Sequence, residues 1–307
     1  INPNLLLYDG SVLAIDPKGE LAAVTARARR EKGQKVVITD PFGTNGRYPS
    51  GSFNPLHGLD PASPTAKEDA TAIADALIIP SEREPHWTDT ARILVEALIL
   101  LTTTLKDEDG KPNLTDRHLG TVWQLLTLTY PPLVEKASKG DVRPQTFLWE
   151  LMKDCKGVYD DSVAGAGERF SNMAEKELQG VISTAQTQLK FLDSPEMVKV
   201  LKTSDFSLSE LKTSAVTIYL CLPATKMATH SRFLRLIVNL ALSAMERTTA
   251  KPELPVLFVL DEFAVLGHMQ SVETAAGFMA GFGVKLWVIL QDLTQLKRHY
   301  RVTWETF

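Results

Sequence analysis

Val256-Leu257-Phe258-Val259-Leu260-Asp261-Glu262 is the stretch that decides the fold, an unbroken apolar run that ends on two adjacent carboxylates. A run of this length without polar alternation reads as a strand covered on both faces, the pattern of a parallel sheet flanked by helices. Open sheets of that kind hold their ligands at the carboxyl ends of the strands, where Asp261 and Glu262 stand. In isolation the same pattern equally describes a polar strand end running into a helix cap.

Working outward, the next apolar run, Leu286-Trp287-Val288-Ile289-Leu290, also ends on a polar residue, Gln291. Three further runs at 11–16, 35–40 and 215–222 read as strands, and the first two end in Asp16 and Asp40. Helical spacing fills 20–32, 231–247 and 272–279, and a Gly- and Pro-rich loop over 41–64 is long enough to suggest a functional or interface role. From about 65 to 192 the pattern is helical only, with Ile93, Leu94, Ala97, Leu98 and Leu101 on one stripe, Leu119, Val122, Leu125 and Leu126 on another, and one long segment over 170–191. The simplest architecture is an α/β domain in two pieces, 1–80 and 196–307, with an all-α domain inserted at 81–195.

Phosphoryl transfer needs one carboxylate to organise a magnesium ion, usually through water, and a second to orient or deprotonate the attacking water. Asp261 and Glu262 can supply both. A strand-terminal amide on the neighbouring connection, Gln291, can hydrogen-bond the terminal phosphate or that water. A lone glutamine would be a helix cap or a solvated loop amide; beside a carboxylate pair it reads as part of a site.

Composition bounds the partners. The chain has 307 residues, 44% hydrophobic and 23% charged, which fits a soluble globular protein of about two domains. A net charge of -4 argues against a surface that coats nucleic acid broadly, so any DNA contact is expected to be local. The two cysteines, Cys155 and Cys221, lie far apart and fit a reducing, cytoplasmic setting. No apolar run reaches the length of about 20 residues that crosses a bilayer. His57, His230, His268 and His299 have no metal-ligand spacing, and no covalent nucleophile arrangement is present.

The segments Pro3-Asn4-Leu5-Leu6, Gly10-Ser11-Val12, Asp16-Pro17-Lys18-Gly19-Glu20, Ser52-Phe53-Asn54-Pro55-Leu56, His86-Trp87, Leu260-Asp261-Glu262-Phe263-Ala264 with Leu266-Gly267, and Gln291-Asp292-Leu293-Thr294-Gln295-Leu296 occur in an order that resembles the TraG-like coupling proteins of type IV secretion. The resemblance runs from end to end. It implies a RecA-like P-loop NTPase domain with a mostly parallel sheet and an all-α insertion, carried behind an inner-membrane anchor absent from this chain. It also implies a homo-hexameric ring that uses ATP and Mg2+ and delivers DNA, single-stranded or duplex without sequence preference, together with relaxase or effector proteins, to the secretion channel. By the same resemblance Asp261 would hold magnesium through water, Glu262 would be the catalytic carboxylate, Gln291 would sense the terminal phosphate, and Asp16, Lys18 and Glu20 would lie near the nucleotide.

Three departures limit what carries over. The phosphate-binding loop Gly-x-x-x-x-Gly-Lys-[Ser/Thr], expected just ahead of Ile1, occurs nowhere in the sequence, and nucleotide affinity should fall without its amides and lysine. Ile1 itself reads as a cut and not a natural start. The arginine that some relatives offer to a neighbouring subunit before the last strand is missing from Ala280-Gly281-Phe282-Gly283. The lack of closing strands before Phe307 predicts an incomplete sheet edge.

Other candidates have plain readings. Arg27, Arg29, Arg30, Lys32 and Lys35 are expected on a solvated helix face, with phosphate contact as the competing role. Trp87 is expected in the core with His86 capping or packing locally, against base stacking, and Phe278 and Phe282 are expected to be buried against the sheet, against an interface or channel loop. An ATP-driven substrate pump is thus the leading function, beside a non-hydrolytic docking adaptor acting through the helical insertion and a related chromosomal DNA translocase or helicase.

Overall fold

The computed structural model describes residues 1–306. Five strands form one all-parallel sheet: β1 (Val12–Asp16), β2 (Lys35–Thr39), β3 (Val216–Cys221), β4 (Val256–Leu260) and β5 (Val284–Val288), in the order β2-β3-β1-β4-β5. Every residue of β1 and β3 is buried, as their unbroken apolar runs require, whereas edge strand β5 is half-buried along most of its length. Strand β5 begins two residues earlier than the apolar run and stops before Ile289, which still donates its N–H to Leu260 O across 3.0 Å.

The helices of this sheet unit are α1 (Asn2–Leu7) and α2 (Glu20–Glu31) at its start. Those of the helical unit follow as α3 (Ala66–Leu77), α4 (Pro85–Thr104), α5 (Leu119–Leu126), α6 (Pro131–Lys139), α7 (Pro144–Lys153), α8 (Ser162–Ser171), α9 (Glu175–Leu189) and α10 (Pro195–Val200). The chain returns to the sheet with α11 (Glu210–Thr213), α12 (Ala224–Arg247), α13 (Gln270–Phe278) and α14 (Leu293–Tyr300). Two compact units result, Ile1–Phe53 with Ser204–Phe307 and Asn54–Thr203. The helical unit therefore also takes in 54–80 and 196–203, because α3 and α10 pack on helices rather than on strands.

The sheet unit's core joins Leu5 of α1 and Leu21, Ala22 and Ala26 of α2 to Val12, Ala14, Ile38, Tyr219, Cys221 and Val259 of four strands. Full burial of a leucine such as Leu5 is worth about 2 kcal/mol, so these side chains fix α1 and α2 on the sheet. Helix α12 starts at Ala224, about two turns before the expected 231, directly after Pro223 as its N-cap residue. The expected long helix over 170–191 is two, broken between Ser171 and Glu175.

Arg29 departs from the expected solvated basic face. It is 0% exposed, and its guanidinium donates to Leu5 O, Tyr8 O, Gly10 O and Thr217 Oγ1. Arg27 and Arg30 do stay in solvent, so the five charges never form one stripe. Phe278 and Phe282 are 73% and 39% exposed instead of buried against the sheet, because Val272, Ala275 and Met279 take the inward positions of that segment. In the helical unit Trp87 is half-buried, its ring lying against Gly180, where an added Cβ would come within 2.6 Å. His86 is exposed and pairs with Glu177 at 3.0 Å. No helix of the described residues is long and apolar enough to cross a membrane.

Candidate active site

The carboxyl ends of β1 and β4 lie side by side, since these strands pair in register up to Ile15 and Leu260. Each delivers an acidic residue to the same end of the sheet. Asp16, Lys18, Glu20, Asp261 and Glu262 line one open cleft of about 410 Å³, with Ile1 and Asn2 on its wall. Gln291 reaches the same place from β5: its Nε2 donates to Oε1 and Oε2 of Glu262, each at 3.2 Å.

Local sequence explains the placement of each group. Beyond β4 and β5 the backbones stay joined, with Phe263 N–H donating to Ile289 O across 3.1 Å. Asp292 caps α14 by accepting from Thr294 N and Gln295 N, and Gln295 Oε1 accepts from Gln291 N at 3.3 Å, a variant of the capping box. Gln291 is thereby held beside Glu262 by its own helix start. Glu262 sits at φ 51, in the left-handed region, and this turn swings its side chain toward the amide.

The acids differ in environment. Burial pushes the Asp261 carboxyl above its ordinary value, while the Glu262 backbone N–H, 3.0 Å from Oδ1, and Lys18 favour the charged form. Burial likewise raises Asp16, which is 1% exposed, against the pull of backbone N–H groups led by that of Ala22, 2.9 Å from Oδ2. Asp16 thus borders the cleft with its carboxylate committed to the first turn of α2, whereas Lys18 and Glu20 are exposed. Gly19 between them has φ 69, and a Cβ there would meet the Asn45 backbone at 2.7 Å, so only glycine fits the turn that carries both side chains.

Oxygen donors are what a hard cation such as Mg2+ takes, and Mg2+ commonly uses one or two carboxylates and fills its other positions with water and phosphate oxygens. Asp261 beside Glu262 fits that pattern. Among the described residues no group of three or more His, Cys, Asp or Glu could hold a metal by itself.

Two features of the site escape sequence reasoning. Asn2 Oδ1 is buried without a hydrogen-bond partner, and Asn2 lines the cleft. Arg235 of α12, 4% exposed, donates from Nη1 to Leu266 O at 2.5 Å and His268 O at 2.7 Å, holding the loop that follows the acidic pair. The segment that includes Asn4 and Leu5 signals the neighbourhood of Asn2, but nothing in the sequence pairs Arg235 with carbonyls about thirty residues later.

A family described as type IV secretory system conjugative DNA transfer matches residues 1–303. The chain is similar to the conjugal transfer protein TraG of Agrobacterium fabrum, 26% identical over 300 residues that cover 97% of this chain and 43% of that protein. It is also similar to the type IV secretion system-coupling protein VirD4 of Bartonella henselae, 25% identical over 97% of this chain and 44% of that protein. The chain therefore spans less than half the length of these curated relatives. Among solved structures, the unbound conjugative coupling protein TrwBdeltaN70 superposes with a TM-score of 0.61 at 16% identity, covering 97% of this chain and 65% of that one. TrwB in complex with ADP and Mg2+ gives the same TM-score and identity, with 97% and 68% coverage. At this identity the likeness is one of fold, the RecA-like α/β fold with a parallel sheet.

Proposed function

The chain belongs to the type IV secretory system conjugative DNA transfer family, and from that premise we propose that it is the nucleotide-hydrolysing part of a coupling protein, a ring motor that recruits DNA with relaxase or effector proteins and passes them to a secretion channel. The observation that carries this reading is the meeting of Glu262 and Gln291 at 3.2 Å over the cleft bordered by Asp261. An acidic pair and an amide converging at the carboxyl ends of adjacent parallel strands are the parts that ATP hydrolysis requires from this side of the site.

Mg2+, when bound with ATP, neutralises charge on the phosphates and would be held by Asp261 through water. Glu262 orients the attacking water and accepts its proton at a carboxylate oxygen. Gln291, now bonded to that carboxylate, is placed to exchange this contact for one to the terminal phosphate, so the state of the nucleotide reaches β5 and α14. Lys18 and Glu20 stand at the nucleotide's edge, while Asp16 keeps the turn between β1 and α2 in shape.

The helical unit, Asn54–Thr203, is read as the part that recruits protein cargo, with a six-membered, membrane-anchored ring as the assembly. Glu262→Gln tests the motor assignment. In the natural protein the variant should lose ATP turnover and, in a mating assay, DNA transfer, while still binding nucleotide; turnover at the unsubstituted rate would remove Glu262 from the chemistry.

A further inference from the structure

The helical unit carries a groove that has no part in the nucleotide cleft. Gln179, Ile182, Ser183, Gln186, Thr187 and Lys190 recur at helical spacing along α9 and its last turn, and they line two adjoining hollows. This stripe runs for about 16 Å at the helical rise of about 1.5 Å per residue. The first hollow, of about 180 Å³, has an apolar floor of Leu94 and Leu98 from α4 and Leu148 and Trp149 from α7. The second, of about 420 Å³, is walled by Trp123 of α5.

The polar side chains of the groove are uncharged with one exception, and that charge is already matched. Lys190 Nζ lies 2.6 Å from Asp193 Oδ2 and 5.9 Å from the centre of the Trp123 ring. Gln145 adds a further amide to the first hollow. None of Gln145, Gln179, Ser183 and Thr187 makes a side-chain hydrogen bond to another described residue, whereas Gln186 donates weakly to Leu126 O at 3.4 Å. The wall therefore offers donors and acceptors in equal measure along an apolar slot.

A nucleic acid would need several cations along such a track to replace its counterions, and Lys190, paired with Asp193, is the one cation among the described residues lining the groove. An amphipathic surface rich in charge would leave its own charges desolvated against neutral amides. A polypeptide backbone, which carries one N–H donor and one C=O acceptor per residue and no charge, matches the glutamine and hydroxyl wall. The first hollow is near the size of a cavity that takes a benzene ring, about 150 Å³, so it accepts one large apolar side chain.

We infer that the α5/α7/α9 groove binds an extended polypeptide segment of a partner protein that places one Leu, Phe or Met side chain in the hollow floored by Leu98 and Trp149 and lays uncharged neighbours along α9. This deepens the reading of the helical unit as the recruiting part and rests on it only in taking the partner to be a protein; it is independent of the nucleotide chemistry at Glu262.

The probe is a positional-scanning library of N-acetylated, C-amidated decapeptides, measured by fluorescence polarisation against the whole chain. The inference expects selection for Leu, Phe or Met at a single position, with at least about a tenfold loss when that residue becomes Ala. Ser183→Trp, at an exposed position, fills the groove and should abolish binding while leaving the thermal midpoint and the helical circular dichroism unchanged. Ile182→Ser, which removes part of the apolar wall without obstructing it, should weaken the selected peptide several-fold and serves as the control if Ser183→Trp perturbs folding. Absence of any positional preference, selection for charged residues, or binding that survives both substitutions would overturn the assignment. So would saturable binding of a single-stranded oligonucleotide that Ser183→Trp removes. None of these outcomes bears on ATP turnover, and turnover lost in Glu262→Gln leaves the peptide result untouched.

Discussion

Gln291 holds both carboxylate oxygens of Glu262 with one amide nitrogen, at 3.2 Å each, so the residue that follows β5 and the residue that follows β4 form one unit across the strand boundary. The amide is a neutral donor, and the pairing keeps the carboxylate aimed without cancelling its charge. It also joins the acidic pair to α14, whose cap at Asp292 positions the glutamine.

The turn that makes this possible is strained. Glu262 takes φ 51, which costs a residue with a Cβ roughly 1 kcal/mol or more, and glycine almost nothing. Glu262→Ala and Glu262→Gly both delete the carboxylate, so the difference between them isolates the backbone. Urea unfolding should find the glycine variant more stable than the alanine variant by about 1 kcal/mol; equal midpoints and slopes would mean that the turn relaxes at no cost.

Arg29 stabilises the sheet unit from inside. Its four hydrogen bonds serve three carbonyls of the segment from α1 to β1 and a hydroxyl on β3, and replacing it leaves those carbonyls buried without donors. An unmet buried group costs about 1–3 kcal/mol, against which removing a desolvated cation returns part of the loss. Arg29→Met should therefore destabilise the sheet unit by about 3 kcal/mol in chemical denaturation, and Arg29→Lys, with fewer donors in the wrong geometry, by a comparable amount. A change under about 0.5 kcal/mol in both would refute the role.

Sequence pattern carried the strands and the acidic couple because both rest on local periodicity. Apolar runs 256–260 and 286–290 lead to neighbouring parallel strands, and their polar ends then meet without any further information. Arg29 was illegible for the opposite reason. A charge run reads as surface, and only the three-dimensional crowding of carbonyls from Leu5, Tyr8 and Gly10 makes its burial favourable. Phe278 and Phe282 failed similarly, since composition says that a phenylalanine prefers the core but not which residues of a short helix already fill it. The boundary of the helical unit at Asn54 was hidden because Asn54 bonds to the carbonyls of Arg117 and Lys202, contacts distant in sequence.

His118 makes the helical unit sensitive to acid. It is buried at the N-cap of α5, and its Nδ1 accepts from Thr121 N at 3.3 Å, a bond that exists only while this nitrogen is unprotonated. Burial, and then Lys202, depress its pKa below the ordinary histidine value, with Asp116 opposing. A depressed folded value means that the unfolded chain binds the proton first, so this contribution is fully present above about pH 6.5 and is lost as pH falls through the folded value. Stability of the helical unit should decline from about pH 6.5 downward, and His118→Asn, which caps through an oxygen, should remove that decline. An unchanged slope in the variant would assign the acid sensitivity elsewhere.

Arg235 predicts a separation between global and local stability. Its Nη1 bonds to Leu266 O and His268 O fasten the loop behind Asp261 and Glu262 to α12, yet Nε has no partner and no carboxylate among the described residues pairs with it. Burial, reinforced by Arg232, pulls its pKa down to about 10, which marks the cost of keeping this cation out of water. Two hydrogen bonds from a charged donor are worth about 1.5–3 kcal/mol each, and the effective penalty of burying the ion is several kcal/mol, so the two terms nearly cancel. Arg235→Met should accordingly leave global stability within about 1–2 kcal/mol of the parent. The loop nevertheless loses its anchors to α12 and keeps local ties: Met269 N–H to Tyr300 Oη at 3.2 Å, Gly267 N–H to Ala264 O at 3.1 Å and His268 Nε2 to Glu273 Oε2 at 3.0 Å. Hydrogen exchange at Gly267 and Met269 should accelerate at least about tenfold in the variant while amides of β1 and β3 keep their rates, since local opening draws on the anchors and global unfolding does not. Equal acceleration in loop and strands would show that Arg235 holds the whole unit and not the loop.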